Sequence, residues 1–202
     1  SASQSALESS SRSLMEILLM PRYMLAVAAG VVSYGLMAFV MTASPIAMVN
    51  TGHSVDSAAL GIQWHLLAMF APSFVTGRLM TRFGKERVTA AGMLLIAVSA
   101  VVALAGLELI NFWGSLAIMG IGWNFSFLGA TAMVTDCHTP GERAKAQGAN
   151  DFMVFGATAA VSFLAGSVLH SSGWATINWL LFPPVALILV PLLWQAARKP
   201  QD

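Results

Sequence analysis

Six long apolar runs constrain this chain more than any other feature of its sequence. Of its 202 residues, 57% are hydrophobic and 9% are charged, and the mean hydropathy is +0.73. An apolar run of about 20 residues crosses the roughly 30 Å hydrocarbon core of a bilayer as a helix. The runs predict membrane-spanning helices at residues 23–48, 58–80, 88–107, 110–135, 147–170 and 175–195. We therefore expect an all-α integral membrane protein surrounded by a lipid bilayer.

The segments outside these runs divide the chain into three parts. Residues 1–20 are predicted to be a serine-rich cytosolic linker and juxtamembrane segment, because residues 1–13 hold seven serines and lack the pattern of a signal peptide. Residues 21–197 form the predicted six-helix unit, and residues 198–202 a short cytosolic tail. Since residues 1–13 contain no initiator Met, we interpret them as a flexible linker within a longer natural chain.

The basic residues predict the orientation in the membrane. Positively charged side chains resist translocation, so they collect in the loops on the inner side. With the N-terminus inside, the predicted outer loops hold no Lys or Arg. The predicted inner segments hold all ten: Arg12, Arg22, Arg78, Arg82, Lys85, Arg87, Arg143, Lys145, Arg198 and Lys199. We expect both termini on the cytoplasmic side of a cell inner membrane.

Charge and cysteine content exclude several classes of function. A net charge of +1 leaves no broad basic surface, so nucleic-acid binding is not expected. The single Cys137 cannot form an internal disulfide and is interpreted as an ordinary free thiol. The four histidines lack the spacing of metal ligands, so neither a metal site nor a cofactor is expected.

An internal repeat relates the two halves of the chain. The segment GRLMTRFG at residues 77–84 has a counterpart, GSVLHSSG, at residues 166–173, an offset of 89 residues (166 − 77). The same offset places the first predicted span on the fourth and the third on the sixth. Because each unit crosses the membrane three times, the two units are predicted to be inverted relative to each other, as in many secondary transporters.

The segment GRLMTRFGKER at residues 77–87 resembles a loop of Major Facilitator Superfamily transporters. In that family, the loop between the second and third helices of each half follows the pattern G-x-L-x-D-R-x-G-[RK]-x-[RK]. The matching positions are Gly77, Leu79, Arg82, Gly84, Lys85 and Arg87. Thr81 replaces the usual Asp, so the acidic helix-capping contact implied by the family is not expected here. Residues 122–156 are similar to the region that joins the tenth and eleventh helices of bacterial members.

This resemblance implies a fold and a function. The chain would be the C-terminal six-helix half of a twelve-helix transporter, with two inverted three-helix repeats, and the N-terminal half would be its partner. It would move a small solute by alternating access, with or without proton coupling. We expect the basic loop to act as a conformational latch in which Arg82 pairs with Asp136, or alternatively to be a solvated anchor. The latch residues are Gly77, Arg82, Gly84, Arg87 and Asp136.

Polar and aromatic residues at helical spacing mark the predicted substrate pathway. They lie in the first, second, fourth and fifth spans, whereas the third and sixth look lipid-facing. The candidate substrate-binding residues are Asn124, Trp123, Tyr34, Thr158 and Phe155. Asn124 either contacts the substrate or makes an interhelical hydrogen bond. The glycines of the fifth span, including Gly148, Gly156 and Gly166, favour close helix packing there.

Two ionisable residues within the predicted spans are candidates for proton coupling. Asp151 lies near the cytosolic start of the fifth span and His65 in the outer half of the second. Asp151 also suits a role at the start of its helix, and His65 a hydrogen-bonded packing role. A coupling acid in the other half of the transporter is a further alternative.

Two other classes of function compete with transport. A six-span intramembrane hydrolase would use Ser126 with His65 as base, but no G-x-S turn or oxyanion-supporting loop accompanies that serine. We therefore expect that the chain is not an enzyme. A membrane assembly protein is the third class, which would bind no small solute.

Overall fold

The computed structural model describes residues 12–198, and their regular structure is entirely helical. The α-helices are α1 (Leu14–Leu18), α2 (Pro21–Asn50), α3 (Val55–Phe70), α4 (Ser73–Phe83), α5 (Lys85–Leu104), α6 (Leu109–Thr135), α7 (Arg143–Trp179) and α8 (Phe182–Arg198). A 3-10 turn, Pro140–Glu142, precedes α7. The serine-rich residues 1–11 and the tail residues 199–202, including Lys199, lie outside the described residues.

Several helices are long and apolar enough to cross a membrane. α2, α5 and α6 meet this condition alone, with 30, 20 and 27 residues. A fourth stretch runs over 59 residues from Pro140 to Arg198, and the bent pair of α3 and α4 is a fifth if it counts as one span. The expectation of an all-α chain is confirmed. Within residues 12–198, however, this condition yields four or five spans rather than the predicted six.

The predicted second span is broken rather than continuous. α3 ends at Phe70 and α4 begins at Ser73, and the two helices are bent by 41°. Pro72 lies at the break, and its ring nitrogen has no hydrogen to donate to the carbonyl of Ala68 one turn earlier. The Pro72 carbonyl instead begins α4 by accepting the backbone N–H of Thr76 at 3.0 Å.

Two glycines redirect the chain farther along. Gly84, between α4 and α5, has φ +89°, and Gly173, inside α7, has φ +79°. A side chain with a Cβ is strained at such angles, so both positions favour glycine. Gly173 divides α7 into residues 143–172 and 174–179. The predicted sixth span is also interrupted at residues 180–181, just before two prolines in the first turn of α8.

The bundle is organised around α6, which packs against α2, α3 and most extensively α5. α2 packs in turn against α7, and α5 against α8. Large side chains of α6, including Phe112, Leu116 and Met119, are fully buried in the resulting core. The central position of α6 explains why most of the residues described below lie on it or touch it.

Small residues allow the central helices to approach each other closely. A Cβ added to Gly92 of α5 would lie 2.6 Å from the carbonyl oxygen of Gly122 on α6, and one added to Gly120 would lie 2.7 Å from the carbonyl oxygen of His65 on α3. Backbones this close gain dispersion contacts that a larger residue would prevent. Gly148, Gly156 and Gly166 of α7 instead have open space where a Cβ would lie. The close approaches therefore occur on α6, not along α7 as expected.

We expect Gly92→Ala to destabilise the protein by about 1–3 kcal/mol or more, because the obstructing atoms belong to the backbone of α6. Gly148→Ala is the matched control, since the added Cβ would meet no atom of residues 12–198 within 4 Å. The measurement is the thermal midpoint of the purified natural gene product in detergent. Equal midpoints for the two variants would contradict the close packing of α5 on α6.

Candidate functional site

Three of the predicted substrate-binding residues meet in one group of aromatic rings. The ring of Tyr34 on α2 lies edge-on to Trp123 on α6 and to Phe155 on α7, with centroid distances of 5.6 and 5.5 Å. Phe127 lies edge-on to Tyr34 at 5.1 Å and stacks on Trp123, also at 5.1 Å. We call Tyr34, Trp123, Phe127 and Phe155 the aromatic cluster. It joins three helices at one place.

The aromatic cluster is buried at Trp123 on α6 and open at Phe155 on α7. Trp123 is 6% exposed, whereas Phe155 is 53% exposed and Tyr34 is half-buried. Phe127 was missed by the sequence reasoning, although its spacing of four residues from Trp123 places both rings on one face of α6. The cluster can contact a flat apolar ring through edge-on and stacked geometries, each worth about 0.5–1.5 kcal/mol beyond area burial.

Trp123 carries a polar atom that is not satisfied. Its indole Nε1 is buried and has no hydrogen-bond partner in the part of the chain that the structure describes. Phe70, the last residue of α3, lies edge-on to the indole at 6.5 Å. The aromatic cluster therefore adjoins the break between α3 and α4.

Asn124 braces that break from α6. Its Nδ2 donates to the carbonyl of Met69 and to the hydroxyl of Ser73, both at 2.7 Å. Its Oδ1 accepts from the hydroxyl of Thr76 at 2.6 Å, and the side chain is fully buried. Both amide hydrogens are thus used within the protein. In this conformation Asn124 therefore makes interhelical hydrogen bonds, and its contact with a substrate stays a prediction.

Thr158 lies three residues after Phe155 on α7 and is half-buried. Its hydroxyl donates to the carbonyl of Val154 at 2.7 Å, within the same helix. Residues three apart share a helix face, so Thr158 lies on the same face of α7 as Phe155. Its contact with a substrate stays a prediction.

The two candidates for proton coupling have different surroundings. His65 is fully buried, and its Nδ1 lies 2.7 Å from the carbonyl oxygen of Leu116, which joins α3 to α6. Its Nε2 has no partner among residues 12–198. Asp151 is exposed, and one of its oxygens accepts from the side-chain amide of Asn150 at 3.1 Å. No salt bridge involves either residue in the described part of the chain.

An ion-pair network ties three helices together at one end of the bundle, which we call the basic end. Asp136, just after α6, lies 2.6 Å from Lys85 Nζ of α5 and 3.1 Å from Arg22 Nη2 of α2. Arg22 also lies 3.4 Å from the carboxylate of Glu86, which is buried. Lys85 donates a further hydrogen bond to the carbonyl of Ala132 at 3.2 Å. Asp136 is therefore the centre of the network.

The predicted pair between Arg82 and Asp136 is not formed in this conformation, and it stays a prediction for another one. Arg82 makes no salt bridge among the described residues, and its guanidinium instead lies 5.2 Å from the ring centroid of Phe83. The reason is the turn at Gly84, after which Lys85 begins α5 beside the end of α6. Of the other predicted latch residues, Gly77 and Arg87 are exposed. A latching role for Gly77, Gly84 and Arg87 stays a prediction.

A second ion pair at the basic end was not predicted from the sequence. Glu142 is 1% exposed, and its carboxylate lies 2.7 Å from Arg12 Nη2. The same carboxylate accepts the Nε and the backbone N–H of Arg12 and the backbone N–H of Thr139, each at 2.9 Å. Arg12 also donates to the carbonyl of Cys137 at 3.0 Å. The chain before α1 is thereby attached to the turn between α6 and α7.

Cys137 and the histidines show no arrangement for covalent or metal chemistry in residues 12–198. Cys137 is a buried free thiol that donates to the carbonyl of Met133 at 3.3 Å. Burial raises the pKa of this thiol, which keeps it protonated near neutral pH. No group of three His, Cys, Asp or Glu side chains in the described part could hold a metal ion.

Comparison with known proteins decides the family. The sequence profile of the Major Facilitator Superfamily matches residues 25–202. The chain belongs to the Major Facilitator Superfamily. It is 69% identical over 194 residues to the riboflavin transporter RfnT of Brucella anthropi, covering 96% of this chain and 49% of that relative. It is also 33% identical over 169 residues to the uncharacterized MFS-type transporter YddS of Bacillus subtilis and 32% identical over 165 residues to YdeG of the same organism.

The chain spans about half the length of RfnT and less of the others. The match to YddS covers 83% of this chain and 38% of that relative. The match to YdeG covers 80% of this chain and 38% of that relative. Membership in the Major Facilitator Superfamily, with several helices able to span a bilayer, makes this a multi-pass membrane protein of a transporter family. The resemblance stated from residues 77–87 is confirmed.

Family membership also decides the enzyme alternative. The Major Facilitator Superfamily consists of transporters, so the expectation that the chain is not an enzyme is confirmed and the intramembrane hydrolase is wrong. The hydroxyl of Ser126 is used structurally, since it lies 2.7 Å from the hydroxyl of Ser33 on α2 and donates to the carbonyl of Gly122 at 2.7 Å. It joins α2 to α6.

We expect Asn124→Leu to destabilise this Major Facilitator Superfamily chain by about 1–3 kcal/mol, because the Met69 carbonyl at the helix break would lose its donor where lipid offers none. Asn178→Leu is the matched control, since in the described part of the chain that equally buried amide donates within its own helix alone, to the Trp174 carbonyl. The measurement is the thermal midpoint of the purified natural gene product. A larger loss for Asn178→Leu would show that Asn124 does not brace the break.

Proposed function

We propose that this chain is the C-terminal half of a twelve-helix transporter that moves riboflavin, or a closely related flavin, across the bacterial inner membrane by alternating access. The observation that carries this proposal is the 69% identity to the riboflavin transporter RfnT over 96% of the chain. The match covers 49% of that relative, which is consistent with the proposed partner, an N-terminal six-helix unit.

The aromatic cluster supports a flavin as substrate. Riboflavin carries a flat, neutral ring system, and the rings of Tyr34, Trp123 and Phe127 offer both stacked and edge-on contacts. The cluster contains no charged side chain, which suits a neutral ring. Phe155 and Thr158 border the same place from α7, so we assign all of the aromatic cluster and Thr158 to the substrate site. Asn124 supports the site from behind by holding the adjoining helix break.

Six membrane crossings in two inverted units are the architecture we propose. Gly173 divides the 59-residue helical stretch into two segments, which together with α2, α3–α4, α5 and α6 gives six crossings. The positive φ of Gly84 recurs at Gly173, at the same 89-residue offset (173 − 84) as the sequence repeat. In the proposed repeat, α2 corresponds to α6 and α3–α4 corresponds to α7. The packing of α2 on α7 therefore corresponds to the packing of α6 on α3, and both are present.

The basic end is proposed to face the cytoplasm, with both termini on that side. Arg12, Arg22 and Lys85 meet acidic partners at this end. The absence of Lys and Arg from the predicted outer loops supports the same orientation. The linker from the N-terminal half would then arrive at Arg12, beside Glu142.

Alternating access requires contacts at the basic end that form and break. We propose that Asp136, Lys85, Arg22 and Glu86 form this latch, in place of the pair between Arg82 and Asp136. The side chains of Lys85, Arg22 and Asp136 are about one-third exposed, so each of the two Asp136 pairs contributes no more than about 1 kcal/mol and is readily broken. A bias of this size shifts a two-state equilibrium without freezing it. Proton coupling through Asp151 or His65 remains a prediction.

We expect the complete natural gene product, reconstituted in vesicles, to take up radiolabelled riboflavin saturably, with unlabelled riboflavin as competitor. Phe155→Ala is expected to raise KM because it removes one ring of the cluster. Phe163→Ala, which removes an exposed ring elsewhere on α7, is the matched control and is expected to leave KM unchanged. Protein that is present in the vesicles and shows no saturable riboflavin uptake would refute the substrate.

Charge exchange tests the proposed latch. We expect Lys85→Asp and Asp136→Lys each to reduce uptake by about fivefold, since Lys85→Asp removes one pair, Asp136→Lys removes two, and each adds a like-charge contact. The double variant is expected to recover much of the uptake, because it restores the pair between positions 85 and 136. The corresponding exchange of Arg82 with Asp136 should give no recovery. If the exchange of Arg82 with Asp136 recovered uptake and the exchange of Lys85 with Asp136 did not, Arg82 would be the partner of Asp136 in the latch.

A further inference from the structure

Trp123 has an unused hydrogen-bond donor inside the aromatic cluster. Its Nε1 has no partner among residues 12–198, although the side chain is more than nine-tenths buried. A buried donor without a partner costs free energy, and such groups are uncommon in native proteins. An indole nitrogen can only donate, so its missing partner must be an acceptor atom.

The surroundings of Trp123 hold the indole in place. The ring is stacked on Phe127 with an interplanar angle of 17°, and Tyr34 and Phe70 meet it edge-on. Asn124, the next residue, is fixed by three hydrogen bonds to the α3–α4 region. The position of the N–H is therefore set by the fold rather than by free rotation of the side chain.

We propose that Trp123 is a specificity-determining residue whose indole N–H donates a hydrogen bond to an acceptor atom on the edge of the substrate's planar ring. Tyr34, Phe127 and Phe155 then provide the surrounding aromatic contacts. This inference rests on the proposed function and explains how the site distinguishes the substrate's ring from other flat rings. In the present conformation the N–H is enclosed, so the substrate reaches it when the less buried rings of Tyr34 and Phe155 rearrange.

Two requirements define the substrate class: a flat ring for the aromatic contacts and an acceptor atom for the Trp123 N–H. The site selects a flat heteroaromatic ring that carries a carbonyl oxygen or an unprotonated ring nitrogen at its edge, and the flavin ring has both. An apolar pocket alone discriminates weakly among flat rings. A site built to make a hydrogen bond rejects a ring without the acceptor much more strongly, because its own polar group would stay buried and unpaired.

The first test removes the donor and keeps the aromatic ring. In the complete natural transporter, Trp123→Phe is expected to raise the KM for riboflavin about fivefold to tenfold, the loss of one hydrogen bond, with little change in the maximal rate. Trp174→Phe is the matched control. Trp174 is also buried, and its Nε1 has no partner among the described residues 12–198. Its ring packs on Phe112, outside the aromatic cluster, so the KM of Trp174→Phe should equal that of the unmodified protein.

A second variant separates the donor from the shape of the ring. Benzothienylalanine at position 123 replaces the N–H by sulfur and keeps the bicyclic ring, and it should raise KM as Trp123→Phe does. This variant decides the matter if Trp123→Phe fails to insert. Competition by 5-deazariboflavin and by thiocarbonyl analogues of riboflavin identifies the acceptor. With the unmodified protein, the analogue that lacks the acceptor should inhibit uptake of labelled riboflavin more weakly than unlabelled riboflavin does. With the position-123 variants, that analogue and unlabelled riboflavin should inhibit equally well.

Two results would overturn the inference about Trp123, and a third would overturn the proposed function. Wild-type KM and unchanged analogue discrimination in both position-123 variants would overturn the inference while leaving riboflavin transport intact. A rise in KM for Trp174→Phe equal to that for Trp123→Phe would also overturn it, since any buried indole would then have the same effect. Absence of riboflavin uptake by the unmodified protein would overturn the proposed function instead.

Discussion

The need to pair every backbone polar group inside a bilayer determines much of this structure. Lipid offers no hydrogen-bond partner, so a helix break at membrane depth persists only where protein groups replace the lost bonds. Asn124 does this at the break around Pro72 by donating to the carbonyl of Met69 and binding two hydroxyl groups of α4. Because Trp123 adjoins Asn124 and Phe70 ends α3, the same brace positions the aromatic rings.

The polar interactions of the bundle fall into two groups with different consequences. In the middle, polar groups such as Asn124, His65 and Ser126 join α6 to its neighbours while fully buried. At the basic end, the pairs of Asp136 are partly exposed and are therefore weak and screened by salt. The buried bonds suit a permanent framework, and the exposed pairs suit contacts that a moving protein must break.

Sequence reasoning succeeded where one physical signal dominates. Hydropathy placed the first and fourth spans at residues 23–48 and 110–135, and the helices run over Pro21–Asn50 and Leu109–Thr135. It failed at the helix breaks because proline has no fixed effect in a membrane helix. Pro45 and Pro191 lie inside continuous helices, whereas Pro72 lies at a break. The difference depends on partners from another helix, which the local sequence does not contain.

The ion pairs and the site show the same limit at the level of side chains. Arg82 and Lys85 are three residues apart, and the backbone turn at Gly84 decides which one reaches Asp136. Arg12 and Glu142 are 130 positions apart, so no local pattern relates them. Tyr34, Trp123 and Phe155 were predicted from polar and aromatic residues at helical spacing in the spans, and the structure brings their rings together. Helical spacing is readable from a sequence, but the partner that completes a contact is not.

The open side of the aromatic cluster gives the proposed second half of the transporter a specific role. α2 and α6 enclose Trp123, whereas Phe155 on α7 is half exposed. A flat ring held only from this side would keep one face in contact with solvent or lipid. We propose that the other half of the transporter supplies groups that close this face. A rocking motion that supplies and withdraws them would change substrate affinity while Trp123 stays in place and the rings of Tyr34 and Phe155 rearrange. Rigidity around Asn124 and weak pairing at Asp136 are thus two requirements of the same proposed cycle.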